Sequence, residues 1–133
     1  MSDDAKALLA ANDAFYLAFA TRNAEAMAAL WARRAPVACI HPGWDALIDR
    51  AAVLASWRQL LANPGSPAVR CRDARAHVLG EVGFVICHEV LPEGMLVATN
   101  MFVREDGDWK IVHHQAGPVA VPASPPPPAH KLH

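Results

Sequence analysis

The segment 96–117, LVATNMFVREDGDWKIVHHQAG, constrains this chain more than any other. Two apolar runs flank Asp106-Gly107, a dipeptide suited to the positive φ angles of a type I′ hairpin turn. A two-residue turn there pairs Glu105 with Asp108 and Phe102 with Ile111. Continuing the alternation sets Asn100 opposite His113. Both are polar on an otherwise apolar face, and buried polar groups need partners. The pair is therefore expected to line a pocket.

The rest of the chain fits around that hairpin. Leu8, Asn12, Phe15, Tyr16 and Phe19 form one stripe of a helix over 4–21. Asn23 can cap a second helix running through Trp31, which Pro36 stops. PVACIH (36–41) reads as a strand, His41-Pro42-Gly43-Trp44 as a turn, and 49–62 as a third helix carrying Val53, Trp57, Leu60 and Leu61. After Pro67, the stretches 68–79, 83–91, 95–105 and 108–117 have strand character, separated by Gly-containing turns. Helices first and an antiparallel meander afterwards is an α+β pattern. One domain is expected over 1–118, followed by a proline-rich tail over 119–133.

Strand parity sorts the meander into two faces. With a turn at Glu93-Gly94, one face holds Arg72, Ala74, Ala76, Val85, Cys87, Glu89, Asn100, Phe102, Ile111 and His113. The other holds His88, Met101, Val103, Lys110, Val112 and His114. The small alanines of the first face leave room for a cavity beneath the helices. The second face mixes aliphatic and ionisable groups, as a subunit interface does, so a homodimer through this outer face is expected.

Totals narrow the function. The net charge of −1 provides no basic field for nucleic acid. No run approaches a membrane span and no signal peptide is visible, so no membrane partner and a cytoplasmic location are expected. Cys39, Cys71 and Cys87 lack C-x-x-C spacing and read as reduced, buried thiols.

His41, before Pro-Gly at a strand end, is the foremost candidate for proton chemistry, because imidazole titrates near neutrality. Its alternative is a turn-capping histidine. Asn100 and His113 can orient a carbonyl or carboxylate, or can be a buried pair that fixes register. Glu89 and Arg72 share the predicted face, as a base or ligand anchor or as a structural ion pair. Asp45 can act as a loop-borne base or simply cap its turn. Trp44 and Trp57 can wall an apolar ligand, with Trp57 favouring the core. His41, His113 and Glu89 could be drawn as a metal triad, but no local ligand spacing supports one, and neither metal nor cofactor is expected.

The pieces LWARRAPVACIHPGW (30–44), VLGE (78–81), AVLASW (52–57) and ATNMFVREDGDWKIVHH (98–114) resemble the SnoaL-like branch of the nuclear transport factor 2-like superfamily. The hairpin also resembles the association domain of calcium/calmodulin-dependent protein kinase II. The resemblance spans roughly 4–118. It implies a cone: three helices packed in a curved, mostly antiparallel sheet, with a cavity between them and dimers through the outer sheet face. It places His41-Pro42 near the catalytic Asp-Pro of ketosteroid isomerase, the adjacent Phe15 and Tyr16 near that enzyme's oxyanion tyrosine, and Asn100 where the kinase association domain carries a pocket arginine.

Two functions are then in view. The first is a cofactor-independent isomerase, cyclase or dehydratase acting on a small carbonyl compound. In it His41 is the base and Asn100, His113 and Tyr16 polarise the carbonyl, with Trp44, Asp45, Trp57, Arg72, Cys87 and Glu89 contacting the ligand. The second is a non-catalytic module that binds a small hydrophobic or carboxylate ligand, or that dimerises.

Overall fold

A computed structural model describes residues 1–120; the expected proline-rich tail lies, from residue 121 on, outside the described residues. Three helices, α1 (Asp3–Ala20), α2 (Ala24–Leu30) and α3 (Arg50–Ala62), accompany five strands. The strands are β1 (Ala38–Ile40), β2 (Arg70–Leu79), β3 (Val82–Leu91), β4 (Gly94–Glu105) and β5 (Asp108–Pro118). The sheet order is β1-β5-β4-β3-β2; β1 joins β5 in parallel, and the other pairs are antiparallel. This is the expected α+β cone with a mixed sheet.

Local chemistry sets the boundaries. Ser2, Asn23 and Asp49 cap the three helices, each side chain accepting from a backbone N–H three residues on. Asp106 and Gly107 have φ of 53° and 85°, the type I′ turn expected from Asp-Gly. Helix α1 lies so close to β3 that a Cβ on Gly83 would meet Leu8 Cδ2 at 2.6 Å. Its buried stripe of Leu8, Asn12, Phe15 and Tyr16 faces the sheet.

The start of β1 is fixed by one carboxylate. Glu105 accepts from the backbone N–H groups of Arg33, Arg34 and Ala35 at 2.8, 2.9 and 2.9 Å. Those bonds hold its carboxyl down at about 2. They tie the segment after α2 to the β4–β5 hairpin. That brings the following β1 alongside β5, where Ala38 pairs with His113 and Cys39 with His114.

Two bulges decide which side chains reach the interior. Between β4 and β5, Met101 pairs with His113 but Phe102 pairs with Ile111, so Val112 is an extra residue. Between β2 and β3, Arg72 pairs with His88 and Arg75 with Ile86, with Asp73 at φ 57° inside the irregularity. Each inserts one residue, and each reverses the faces of what lies beyond it.

Candidate functional site

A cavity of about 280 Å³ opens between the concave sheet face and the helices. Its walls are apolar: Phe19 from α1, Leu60 from α3, Val69 before β2, and Leu91 and Leu96 from the β3–β4 hairpin. Trp44, 43% exposed, also lines it, held by the turn in which the Trp44 N–H donates to the His41 carbonyl at 2.9 Å. The ionisable side chains on its wall are His41, Glu89 and His114, and neither Arg nor Lys lines it.

These three are held from behind. Tyr16 donates its O–H to Glu89 Oε2 at 2.6 Å. With that proton spent, the phenol oxygen accepts from Asn100 Nδ2 at 3.1 Å and from the Cys87 thiol at 3.4 Å. The other Asn100 N–H goes to Asn12 Oδ1 at 2.9 Å, and Asn12 donates to Cys71 Sγ at 3.7 Å. The amide is therefore oriented, and its Oδ1 receives the N–H of His114 Nδ1 at 2.6 Å. A neutral His114 then keeps its lone pair on Nε2, 3.8 Å from Glu89 Oε2, too far for a hydrogen bond.

His41 is fixed by the same logic. Ser56 Oγ sits 2.7 Å from the Val53 carbonyl, a contact that requires the hydroxyl proton between the two oxygens. Ser56 therefore accepts from His41 Nε2 at 2.9 Å. Nε2 carries the proton and Nδ1 the lone pair, with no partner among the described residues. Trp57 packs edge-on against His41, with ring centroids 4.9 Å apart, and lies 5.7 Å from His114, so it braces both imidazoles without lining the cavity.

Burial sets the charge states. It pushes His41 down to about 4 and His114 down to about 3, so both are neutral bases at pH 7. Glu89 is only 2% exposed, and burial raises its carboxyl, while the Tyr16 hydrogen bond pulls the other way. Tyr16 is driven up by burial and then by the Glu89 charge, so it stays a protonated phenol with its O–H available to Glu89.

The structure redistributes the residues singled out from sequence. His41, Trp44 and Glu89 line the cavity together. Asn100, Tyr16 and Cys87 share its side of the sheet but are buried one layer behind, with their polar atoms engaged within the network. His113 is corrected: the Val112 bulge turns it to the outer face beside Met101, and His114, expected outside, takes its place opposite Asn100. Arg72 is corrected likewise. It pairs with His88 on the outer face, its guanidinium 3.5 Å from Asp73, and Cys71 faces Glu89 instead. Asp45 is exposed and accepts from the Ala46 N–H at 2.8 Å, capping its own turn away from the cavity wall.

Sequence reasoning passed over His114, Asn12 and Ser56. For Asn12 the signal was present, a polar residue in the middle of an apolar helical stripe. For His114 there was none, because nothing in WKIVHH marks where the bulge falls. Among the described residues, no group of three His, Cys, Asp or Glu side chains could hold a metal ion. No helix among them is long and apolar enough to cross a membrane.

Comparison with known proteins places this geometry among relatives. A family model described as a SnoaL-like domain matches residues 8–122. A crystal structure from Streptomyces avermitilis, provisionally named a dehydratase of the NTF2-like family, superposes with a TM-score of 0.80. It is 32% identical, with 89% of this chain and 97% of that one covered. A structure from Thiobacillus denitrificans, provisionally named a calcium/calmodulin-dependent protein kinase type II association domain, gives a TM-score of 0.74. It is 35% identical over 84% of this chain and 94% of that one. The Arabidopsis thaliana F-box protein SKIP8 is 26% identical over 113 residues, or 84% of this chain; the chain spans about half, 49%, of that relative's length.

Proposed function

The chain belongs to the SnoaL-like domain family, and from that premise we propose that its cavity is a proton-transfer site for a small, largely apolar carbonyl compound. The observation that carries this is the convergence of His41, Glu89 and His114 at the wall of one apolar cavity. His41 Nδ1 is the base. It takes a proton from the carbon next to the carbonyl and, as imidazolium, returns it elsewhere on the same molecule. Glu89 and His114, both hydrogen-bond acceptors, position a donor group elsewhere on the substrate. Asn100, Asn12 and Tyr16 are positioning residues that fix the tautomer of His114 and the orientation of Glu89. The polarising role expected for Asn100, His113 and Tyr16 is not retained, since two are engaged behind the wall and one faces outward.

The test is solvent-deuterium exchange followed by NMR, with a panel of cyclic ketones, β-hydroxy ketones and enones. The wild type should exchange at least one of them, and His41→Gln should lose on the order of 100-fold, the usual scale of a general base. Panel members that bind but do not exchange above the buffer rate would replace the enzyme by the second reading, a ligand-binding and assembly module.

Assembly is favoured by a specific feature. The outer sheet face exposes Ile86 and Val97, each 39% accessible, on the side of the sheet away from the helices. Met101 and Val103 share this face. We read it as a homodimer interface. Sedimentation should show a dimer at micromolar concentration, and Ile86→Asp should split it, because a carboxylate buried unpaired costs on the order of 3–5 kcal/mol. A monomeric wild type would refute the interface. The three free thiols suit a reducing compartment, and a cytoplasmic location belongs to this reading.

A further inference from the structure

We propose that the donor group the ligand presents to Glu89 and His114 is charged, a protonated amine on a small apolar body, and that Glu89 is its counter-ion. The inference rests on the reading of the cavity as a small-molecule pocket and specifies what that pocket selects.

Glu89 sets the requirement. Its side chain is buried, Tyr16 supplies one hydrogen bond to Oε2, and Oε1 has no partner among the described residues. No Arg or Lys lines the cavity to neutralise it, and its outward-facing neighbour Arg72 is turned away by the β2 bulge. Buried carboxylates are ordinarily paired with a cation and fully hydrogen-bonded. Here the protein provides the hydrogen bond and leaves out the cation.

The other two groups on the wall point to the same chemistry. Asn100 holds the proton of His114 on Nδ1, and Ser56 holds that of His41 on Nε2, so both imidazoles present lone pairs. The cavity thus offers a carboxylate oxygen and two ring nitrogens, all acceptors. The 3.8 Å between His114 Nε2 and Glu89 Oε2 is too long for a direct bond but suits one donor atom bridging both. An ammonium group brings three N–H donors and the missing charge; a hydroxyl brings one donor and no charge. A carboxylate would meet a like charge and lone pairs. The volume of about 280 Å³ lies at the low end for small-molecule sites, and its apolar walls suit a body of one ring.

The experiment is isothermal titration of the full chain at pH 8 with four ligands sharing one ring: benzylamine, benzyl alcohol, benzoate and benzyltrimethylammonium. Benzylamine should bind at least tenfold tighter than benzyl alcohol. Benzyltrimethylammonium, charged but without donors, should be at least tenfold weaker than benzylamine, and benzoate should not bind. Glu89→Gln keeps an oxygen for Tyr16 to donate to. It should lose at least tenfold for benzylamine and change benzyl alcohol by less than threefold. The wild-type ranking stands as the test even if that variant folds poorly. Benzoate binding as tightly as benzylamine, equal binding of amine and alcohol, or full retention of benzylamine by Glu89→Gln would each overturn the inference while leaving a working pocket. Failure of all four ligands to bind would overturn the pocket reading with it.

Discussion

Replacing Asn100 with leucine is expected to destabilise the folded protein by about 3–5 kcal/mol, a drop in melting temperature on the order of 10–20 °C. The side chains are similar in size, so packing changes little. What is lost is a junction. Asn100 donates to Asn12 and Tyr16 and accepts from His114, and all four residues are buried. Leucine leaves an Asn12 oxygen, a Tyr16 lone pair and the His114 N–H without partners, each costing about 1–3 kcal/mol, with some relief as neighbours adjust. The matched control is His113→Leu, on the outer face, which should cost under about 1 kcal/mol. Chemical denaturation of both variants checks the pair. Equal effects would mean that the bulge at Val112 is misplaced and that His113 shares the interior.

That contrast also marks how far the sequence could be read. The helices, all five strands and the Asp106-Gly107 turn follow from caps, periodicity and turn chemistry, and all are found within two residues of expectation. The β3–β4 hairpin was expected to turn at Glu93-Gly94, but Leu91 pairs with Gly94 and the turn is Pro92-Glu93. The slip moves Cys87 from opposite Asn100 to opposite Ala98, a shift of two residues. An even shift preserves faces, which is why Cys87, Glu89 and Asn100 still share the inner side. The bulges are odd shifts, and they exchange His113 for His114 and Arg72 for Cys71. A bulge is one extra residue accommodated by the partner strand, so its position depends on pairing and not on local composition. Asp73 adopts a left-handed conformation at one of them, yet aspartate is common enough in turns that its presence in RCRDARA signals nothing specific. The pairing of β1 with β5 is legible only through Glu105, whose three backbone partners lie about seventy residues away in sequence.

Acidification should weaken the fold well above the range where carboxylates ordinarily titrate. In the unfolded chain His41 and His114 take up protons near pH 6.5; in the folded chain burial holds them to about 4 and about 3. Both folded values are depressed, so the associated stability is complete above pH 6.5 and is lost as the pH falls through the folded values. A depression from 6.5 to about 4 corresponds to about 3 kcal/mol for His41 alone, at 1.36 kcal/mol per unit. His114 adds a term of the same sign. Glu89 acts in the opposite direction. Its raised carboxyl contributes stability that is present below 4.5 and lost as pH rises through its folded value, so it offsets part of the loss near pH 4.5. Glu105 adds a later loss, between 4.5 and about 2. Urea unfolding from pH 8 to pH 4 should therefore show a decline starting near 6.5 and reaching on the order of 3–5 kcal/mol by pH 4. His41→Gln removes one of the two groups and should flatten that slope by roughly half. Constant stability from pH 7 to 4.5, or NMR titration of either imidazole near 6.5, would show that these rings are solvated. The proposed chemistry would fail with them, because the burial that makes protonation costly is also what keeps Nδ1 of His41 and Nε2 of His114 unprotonated as acceptors in the cavity.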